Sequence, residues 1–146
     1  MSARKKSREL LMQLVFQMSL ISDFSEEQRD SFTSEYKERE GVTKLPDQKY
    51  FLRAFSDIIS NMDAIDAAIA KASDNWKLDR MAKSDLAILR LAAAEIMFMP
   101  DIPDAVSINE AVELAKKYGG SMSYRYVNGV LGKIIRDLKD QDKNKN

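Results

Sequence analysis

The segment from Lys83 to Phe98 constrains the fold most, because the helix that it predicts carries apolar residues on almost every side. A helix with one apolar face lies at the edge of a core, whereas a helix that is apolar all round is buried by its neighbours. Pro100 and Pro103 follow and end this helix. The sequence therefore predicts a buried central helix, whose apolar residues are Leu86, Ala87, Ile88, Leu89, Leu91, Ala92, Ala93, Ala94, Ile96 and Met97.

Four helices are predicted before this central helix. Ser25 is placed to cap the second of them and Gly41 to stop it, since serine favours helix starts and glycine favours helix ends. Pro46 and Asp47 begin the third, and a break near Asn61 separates it from the fourth. The four predicted helices cover about residues 5–20, 26–40, 47–60 and 64–73.

Two helices are predicted after the central one. Ser107 and Glu110 have the spacing of a capping box, which predicts that the sixth helix begins at Ser107. The Gly119–Gly120 pair stops that helix, and Ser121 or Ser123 caps the seventh.

The fold class follows from these patterns. No stretch alternates with the period of two that strands require, and no segment repeats. The sequence predicts an all-α fold of about seven helices, arranged as two small helical subdomains packed around the buried central helix. We expect one domain over residues 1–146, with subdomains of about 1–78 and 79–140, a frayed tail at 141–146, and Trp76 packed at the subdomain junction.

Composition excludes several classes of active site. The 146 residues contain neither cysteine nor histidine, which removes disulfides, thiolate and imidazole catalysis, and zinc sites built from those ligands. No glycine-rich phosphate loop or nucleophile motif is present. Arg90 and Glu95 lie inside the apolar helix and are expected to tie it to its neighbours as a structural pair. We therefore expect no enzyme, no catalytic residue, no metal and no cofactor.

Positive charge is concentrated at the start of the chain. Arg4, Lys5, Lys6 and Arg8 lie within five positions, although 23 Lys/Arg and 23 Asp/Glu leave the whole chain without net charge. Closely spaced cations bind successive phosphates and release counterions, so the cluster favours a nucleic acid as ligand. Short basic termini also serve only to keep a chain in solution, and that alternative stays open here.

The same N-terminal stretch resembles a secretion signal in outline, since an apolar run follows the cations. Gln13 and Gln17 interrupt that run at helical spacing, and "SDFSEEQ" follows where a cleavage site would stand. The pattern therefore favours the first helix of a folded core. No run reaches the length of a membrane span, and we expect a cytoplasmic protein that binds no membrane.

A second segment, "KKYGGSMSYRYVNG", combines cations with tyrosines at residues 116–129. Cations beside exposed rings suit single-stranded RNA, because unstacked bases lie on aromatic faces. Alternatively, Tyr118 and Tyr126 are half-buried core residues at the ends of two helices.

Several segments together resemble the NusB family of bacterial transcription antitermination factors. The motifs are "AILRLAAAEI", "DIPDAVSINEAVELAKKYGG" and "YRYVNGVLGKI", joined by "NWKLDR" and the opening "ARKKSRELLMQLVFQ". The resemblance runs from Ala3 to about Ile135 and is weakest over residues 22–50.

Membership of that family would imply an all-helical fold of two subdomains and a defined set of partners. The implied partner protein is NusE, a small-subunit ribosomal protein. The implied ligand is single-stranded boxA RNA in the leaders of ribosomal RNA operons. Together with NusA, NusG and RNA polymerase, the complex would suppress premature termination. Some members self-associate, so a homodimer is also possible.

The resemblance assigns roles to individual residues. It places partner contacts at Phe16, Met18 and Asp85, although some relatives carry an aromatic where Met18 stands. Met122 departs from the family, because better-known relatives have an acid there, and two lysines replace arginines in the basic cluster, which loses bidentate forks. The implied RNA-binding residues are Arg4, Lys5, Lys6, Arg8, Tyr118, Met122, Arg125 and Tyr126.

Two other functions remain compatible with the sequence. One is a helical scaffold for protein interactions whose RNA contact is incidental. The other is an RNA-binding accessory domain of the kind that precedes rRNA methyltransferase domains.

Overall fold

The computed structural model describes residues 2–74 and 77–144, so Trp76 and the prediction made for it lie outside the described residues. The described chain forms seven α-helices and a short 3-10 turn at Leu78–Arg80, and no strand occurs in these two ranges. The all-α prediction is confirmed. The helices are α1 (Ala3–Ile21), α2 (Glu26–Glu40), α3 (Gln48–Ser60), α4 (Met62–Ala72), α5 (Lys83–Phe98), α6 (Asp104–Tyr118) and α7 (Ser123–Asn144).

Local capping fixes several helix ends where the sequence places them. The Ser25 hydroxyl accepts a hydrogen bond from the Gln28 amide at the start of α2. Gly41 ends α2 with a φ of 67°, the left-handed conformation that glycine adopts most readily. The Asp47 carboxylate accepts the Tyr50 amide and caps α3. The predicted break after α3 is confirmed, since α4 begins at Met62.

The prediction for the start of α6 is wrong. The helix begins at Asp104, directly after Pro103, whose extended backbone occupies the cap position without a side-chain cap. Ser107 lies one turn inside the helix, is buried, and donates a hydrogen bond of 2.7 Å to Glu95 Oε1. A Ser-x-x-Glu pattern has the same spacing whether its serine caps a helix or lies inside one. Here Ser107 lies inside α6, where it binds the carboxylate of Glu95 on α5.

The last helix is longer than the sequence suggests. It reaches Asn144, so residues 141–144 of the predicted tail are helical. None of the helices in the described ranges is long and apolar enough to span a bilayer.

Helix α5 lies at the centre of the fold, as its composition predicts. It packs against α1, α3 and α4 from the first part of the chain and against α6 and α7 from the last part. Every residue from Asp85 to Glu95 is buried. Since α4 also packs on α7, the two halves of the chain share a continuous apolar core.

Glu95 joins four helices through a buried carboxylate. Its side chain is 1% exposed and accepts Arg8 Nε from α1 at 2.7 Å, the Ser107 hydroxyl from α6 at 2.7 Å and the Tyr50 hydroxyl from α3. Burial, together with the charge of Glu95, raises the pKa of Tyr50 well above its ordinary value. Tyr50 therefore stays protonated and serves as a donor.

Arg90 provides the second polar anchor of α5. It binds Asp66 on α4 with two hydrogen bonds of 2.9 Å and donates to Ser19 Oγ on α1 at 3.0 Å. Arg90 and Glu95 thus tie α5 to its neighbours, as predicted, but each does so through its own partners and they do not form a pair with each other.

We predict that Glu95→Gln lowers the free energy of unfolding by about 3–5 kcal/mol, because it leaves Arg8 buried without its counter-charge. Urea unfolding measured by circular dichroism tests this. Glu35→Gln, an exposed change on α2, is the control and should stay within about 0.5 kcal/mol of the parent protein. A Glu95→Gln protein of unchanged stability would contradict the proposed role.

Candidate nucleic-acid interface

The basic cluster forms the first turns of α1, where Ser2 caps the helix by accepting the Lys5 amide. Arg4 Nε lies 3.0 Å from Asp47 Oδ2, and its guanidinium lies 5.1 Å from the centre of the Tyr50 ring. Lys6 Nζ lies 3.6 Å from Glu9 Oε1. The side chains of Arg4 and Lys6 remain 46% and 40% exposed, so both still face solvent.

Lys5 reaches across to α6. Its Nζ donates to both oxygens of Glu110, at 3.0 and 3.3 Å, and to Glu113 Oε2. The hydrogen bonds to Glu113 and Glu110 raise the pKa of Lys5, and Lys5 in turn lowers the pKa of Glu113.

Arg8 lies in the interior, which sequence spacing did not reveal. Only 5% of the residue is exposed, and its guanidinium holds Glu95 and stacks 5.2 Å from the centre of the Tyr50 ring. Burial alone lowers the pKa of Arg8, but the hydrogen bond and charge of Glu95 outweigh it, so the pKa is raised. Of the four predicted phosphate-binding cations, Arg8 is therefore the one that lacks an accessible side chain.

Further polar contacts continue between α1 and α6. Lys117 Nζ donates to Glu9 Oε2 at 2.8 Å, and Gln13 Nε2 donates to the Tyr118 hydroxyl at 2.9 Å. The predicted RNA-binding Tyr118 is half-buried at this point. We call this line of contacts the α1/α6 seam, formed by Lys5, Glu9 and Gln13 of α1 and by Glu110, Glu113, Lys117 and Tyr118 of α6.

The glycine turn lies at the far end of the seam, between α6 and α7. A Cβ atom at Gly119 would come within 2.4 Å of Ser123 Cβ and 2.8 Å of the Ala115 carbonyl oxygen, so this position has no room for a side chain. The Gly120 amide donates to Ser123 Oγ at 2.9 Å, which holds the first residue of α7 against the turn. Glycine here thus lets the two helices approach closely.

An open cleft of about 390 Å³ borders the glycine turn and carries Lys116 and Tyr124 at its edge. Lys116 Nζ lies 5.3 Å and the Arg125 guanidinium 5.7 Å from the centre of the Tyr124 ring. Within the described ranges, neither cation has a carboxylate oxygen within 4.0 Å. The positive charge at this turn is therefore less neutralised than that of the basic cluster.

The other predicted residues of this segment have mixed exposure. Arg125 is exposed, Tyr126 is half-buried, and Met122 is 57% exposed at the tip of the turn. Sequence reasoning left Lys116 and Tyr124 off the site, although both belong to the cation- and tyrosine-rich segment that it singled out. Only the packing of α6 against α7 shows that they share a cleft.

The predicted partner residues divide between surface and interior. Phe16 is half-buried and lines a groove of about 320 Å³. Leu20, one turn further along α1, is 57% exposed. Met18 is 1% exposed and belongs to the core, so it presents no surface to a partner. We call this surface the Phe16 groove, and its lining residues are Met12, Gln13, Phe16, Gln17, Ser84 and Tyr118.

Asp85 follows Ser84 in the first turn of α5. The residue is 9% exposed, and its Oδ1 accepts no hydrogen bond from the residues in the two described ranges. A buried carboxylate oxygen without a donor is costly, so this atom is suited to pair with a donor that an incoming molecule brings.

The arrangement is suited to binding. Among the described residues, no group of three Asp or Glu side chains is placed to hold a metal ion. Cations, aromatic rings and an apolar groove instead lie along one continuous face at the α1/α6 seam.

We predict that the contribution of Glu9 to stability depends on pH. Burial raises the pKa of Glu9, but the hydrogen bond from Lys117 and the nearby lysine charges outweigh it, so the folded-state pKa lies below the ordinary 4.5. This stabilisation is complete above the unfolded pKa and is lost as pH falls through the lower folded pKa.

The measurement is urea unfolding of the parent protein and Glu9→Gln between pH 7 and pH 3. We expect a difference of about 1 kcal/mol at pH 7 that shrinks below pH 4.5. Glu35→Gln controls for a lost acidic group. A Glu9→Gln difference that stays constant to pH 3 would disprove the assignment.

Comparison with known proteins agrees with the motifs and the fold. The NusB family model matches residues 5–136. The transcription antitermination protein NusB of Acetivibrio thermocellus is 42% identical over 144 residues, which cover 98% of this chain and 96% of that protein.

Two solved structures share the fold. T. maritima NusB has a TM-score of 0.80 and 31% identity over 93% of each chain. A structure of the antitermination factors NusB and NusE in complex with dsRNA has a TM-score of 0.78 and 23% identity, and it covers 92% of this chain and 97% of that chain. With a family model matched over most of its length and relatives of this identity, the chain belongs to the NusB family.

Proposed function

We propose that this protein is a transcription antitermination factor that binds single-stranded boxA RNA together with NusE. The observation that supports this best is the row of accessible cations and aromatic rings along the α1/α6 seam, from Lys5 to the glycine turn. From Lys5 to Gln13 this row follows about 12 Å of α1. Relatives named as antitermination proteins support the same function.

The RNA-binding face begins at the exposed ends of Arg4, Lys5 and Lys6 and ends at Arg125. These four cations contact phosphates, which gives affinity without sequence preference. Tyr118, Tyr126 and the exposed Met122 lie near the turn and contact bases. Each tyrosine ring is half-buried and keeps an exposed part that an unstacked base can contact, which is why we propose a single-stranded ligand.

Arg8 has a different role in this proposal. Because it is buried against Glu95, it orients the first turns of α1 and does not contact phosphate. A helix whose sixth residue, Arg8, is held on a rigid core loses less entropy on binding than a flexible tail would.

The Phe16 groove is the proposed contact for NusE. A solved relative by fold contains NusB and NusE together with dsRNA, which supports such a pairing. An apolar side chain of NusE fills the groove beside Phe16, and a cation or amide of NusE satisfies Asp85 Oδ1. A homodimer would use the same groove, so NusE would displace it.

The larger assembly follows from the same function. We infer that the protein and NusE join NusA, NusG and RNA polymerase in the cytoplasm, and that the complex resists premature termination on ribosomal RNA operons. The protein then acts by binding, with no enzymatic step.

We predict that Lys6→Gln weakens binding of boxA RNA about threefold to tenfold, because one phosphate contact is lost. The measurement is fluorescence anisotropy of labelled boxA RNA, with and without NusE, across a salt series. Four phosphate contacts give a slope of log K against log salt of about −3 for a single strand.

Lys139→Gln is the matched control, because it removes an exposed lysine near the other end of α7. A scrambled RNA of equal length should bind more weakly than boxA RNA. Equal binding to both RNAs, with no gain from NusE, would refute the proposed function and favour the scaffold alternative.

We predict that Phe16→Ala lowers affinity for NusE at least tenfold, since a half-buried aromatic in a groove is a typical binding hot spot. Isothermal titration calorimetry with purified NusE measures the effect. Phe32→Ala, which truncates another half-buried phenylalanine on α2, should leave NusE affinity unchanged. If both variants bind NusE like the parent protein, the groove is not the NusE contact.

A further inference from the structure

Lys5 lies on the proposed RNA-binding face, but carboxylates of the same chain already form ion pairs with its ammonium group. Its Nζ binds both oxygens of Glu110 and one oxygen of Glu113, which come from α6 more than 100 positions further along the chain. A phosphate that approaches Lys5 has to compete with these carboxylates, because each ammonium group offers only three donors.

The two acids differ in how readily they give way. The side chain of Glu110 is 23% exposed, whereas that of Glu113 is 61% exposed. Glu113 regains full hydration when it releases Lys5, so breaking its ion pair costs less free energy than breaking that of Glu110. Glu9 is 8% exposed and holds Lys117, so its carboxylate is much less free to leave.

The glycine turn presents the opposite situation. Lys116 and Arg125 flank the Tyr124 ring, and no carboxylate oxygen of the described residues comes within 4.0 Å of either cation. At the turn an RNA strand therefore meets a ring and cations that have no direct ion pair, although the charge of Glu113 reaches Lys116. At Lys5 it meets a cation that is already paired.

We propose that Glu113 is an internal competitor of RNA phosphate for Lys5, and that this competition increases the preference for RNA that also binds the glycine turn. The inference rests on the proposed RNA-binding function and names a residue that determines its specificity. When RNA binds, its phosphate replaces Glu113 on Lys5, and the freed carboxylate turns to solvent.

Selectivity follows from effective concentration. When the bases of a strand already contact the turn, the next phosphates are held close to Lys5 at a high effective concentration. They therefore displace Glu113 easily. A strand that makes only phosphate contacts has no such advantage and gains little from Lys5. Glu113 thus weakens non-specific binding more than it weakens binding of the preferred RNA.

The test compares Glu113→Gln, Lys5→Gln and the double variant with the parent protein, using anisotropy of labelled boxA RNA and of scrambled RNA. We expect Glu113→Gln to tighten boxA binding about twofold to fivefold and scrambled binding more, so that the ratio between them falls. The salt slope for scrambled RNA should become steeper by up to about 0.7, because Lys5 then contacts phosphate in that complex as well. In the Lys5→Gln background, Glu113→Gln should have a much smaller effect, because only its weaker interaction with the charge of Lys116 remains.

Glu35→Gln on α2 changes net charge equally and should not alter RNA affinity. Circular dichroism establishes that each variant is folded. Unchanged or weaker RNA binding by Glu113→Gln would overturn the inference, because Glu113 would then position Lys5 or play no part. Equal tightening in the Lys5→Gln background would also overturn it, since the effect would be general electrostatics. If the parent protein binds neither RNA, the proposed function fails and the inference fails with it.

Discussion

The carboxylate of Glu95 is the interaction on which the arrangement of helices depends. It lies on the buried helix α5 and accepts hydrogen bonds from α1, α3 and α6, so one side chain links elements from both halves of the chain. A buried carboxylate is costly unless each lone pair has a donor. Arg8, Tyr50 and Ser107 supply those donors, and the observed packing of the helices brings all three to Glu95. The apolar core drives compaction, while this polar cluster selects how the helices are oriented within it.

This cluster also determines what the basic start of the chain can do. Arg8 is drawn inside to pair with Glu95, which anchors the first turns of α1 on the core. Lys5 then reaches from a rigid helix to α6, Arg4 contacts the start of α3, and Lys6 pairs with Glu9 of α1. The same short basic stretch therefore contains one structural residue and three accessible ones. Rigid placement matters for the proposed function, because cations that are already ordered lose less entropy on binding RNA.

Charge is distributed unevenly along the proposed RNA-binding face. At the start of α1 every accessible cation has an acid of the same chain within 4.0 Å, whereas Lys116 and Arg125 at the glycine turn have aromatic contacts instead. Exposed ion pairs are weak and exchange readily with an incoming phosphate. An RNA strand therefore gains most where bases and phosphates are bound together. This physical asymmetry, rather than total charge, favours discrimination between RNAs.

The sequence by itself determined the class of fold, the bounds of α5, the ends of α2 and the break before α4, because these depend on local periodicity and on capping within a few residues. The family motifs in the sequence also predicted the family to which the chain belongs. Only the tertiary structure decided that Ser107 binds Glu95 instead of capping α6, that Met18 lies in the core, and that Arg8 is buried. It also decided that Lys5 meets Glu113. Each of these contacts joins helices that are distant in sequence, and local spacing carries no information about which distant partner a side chain meets. Most helices could be predicted from the sequence, whereas the pairing of charges between them was determined by packing around α5.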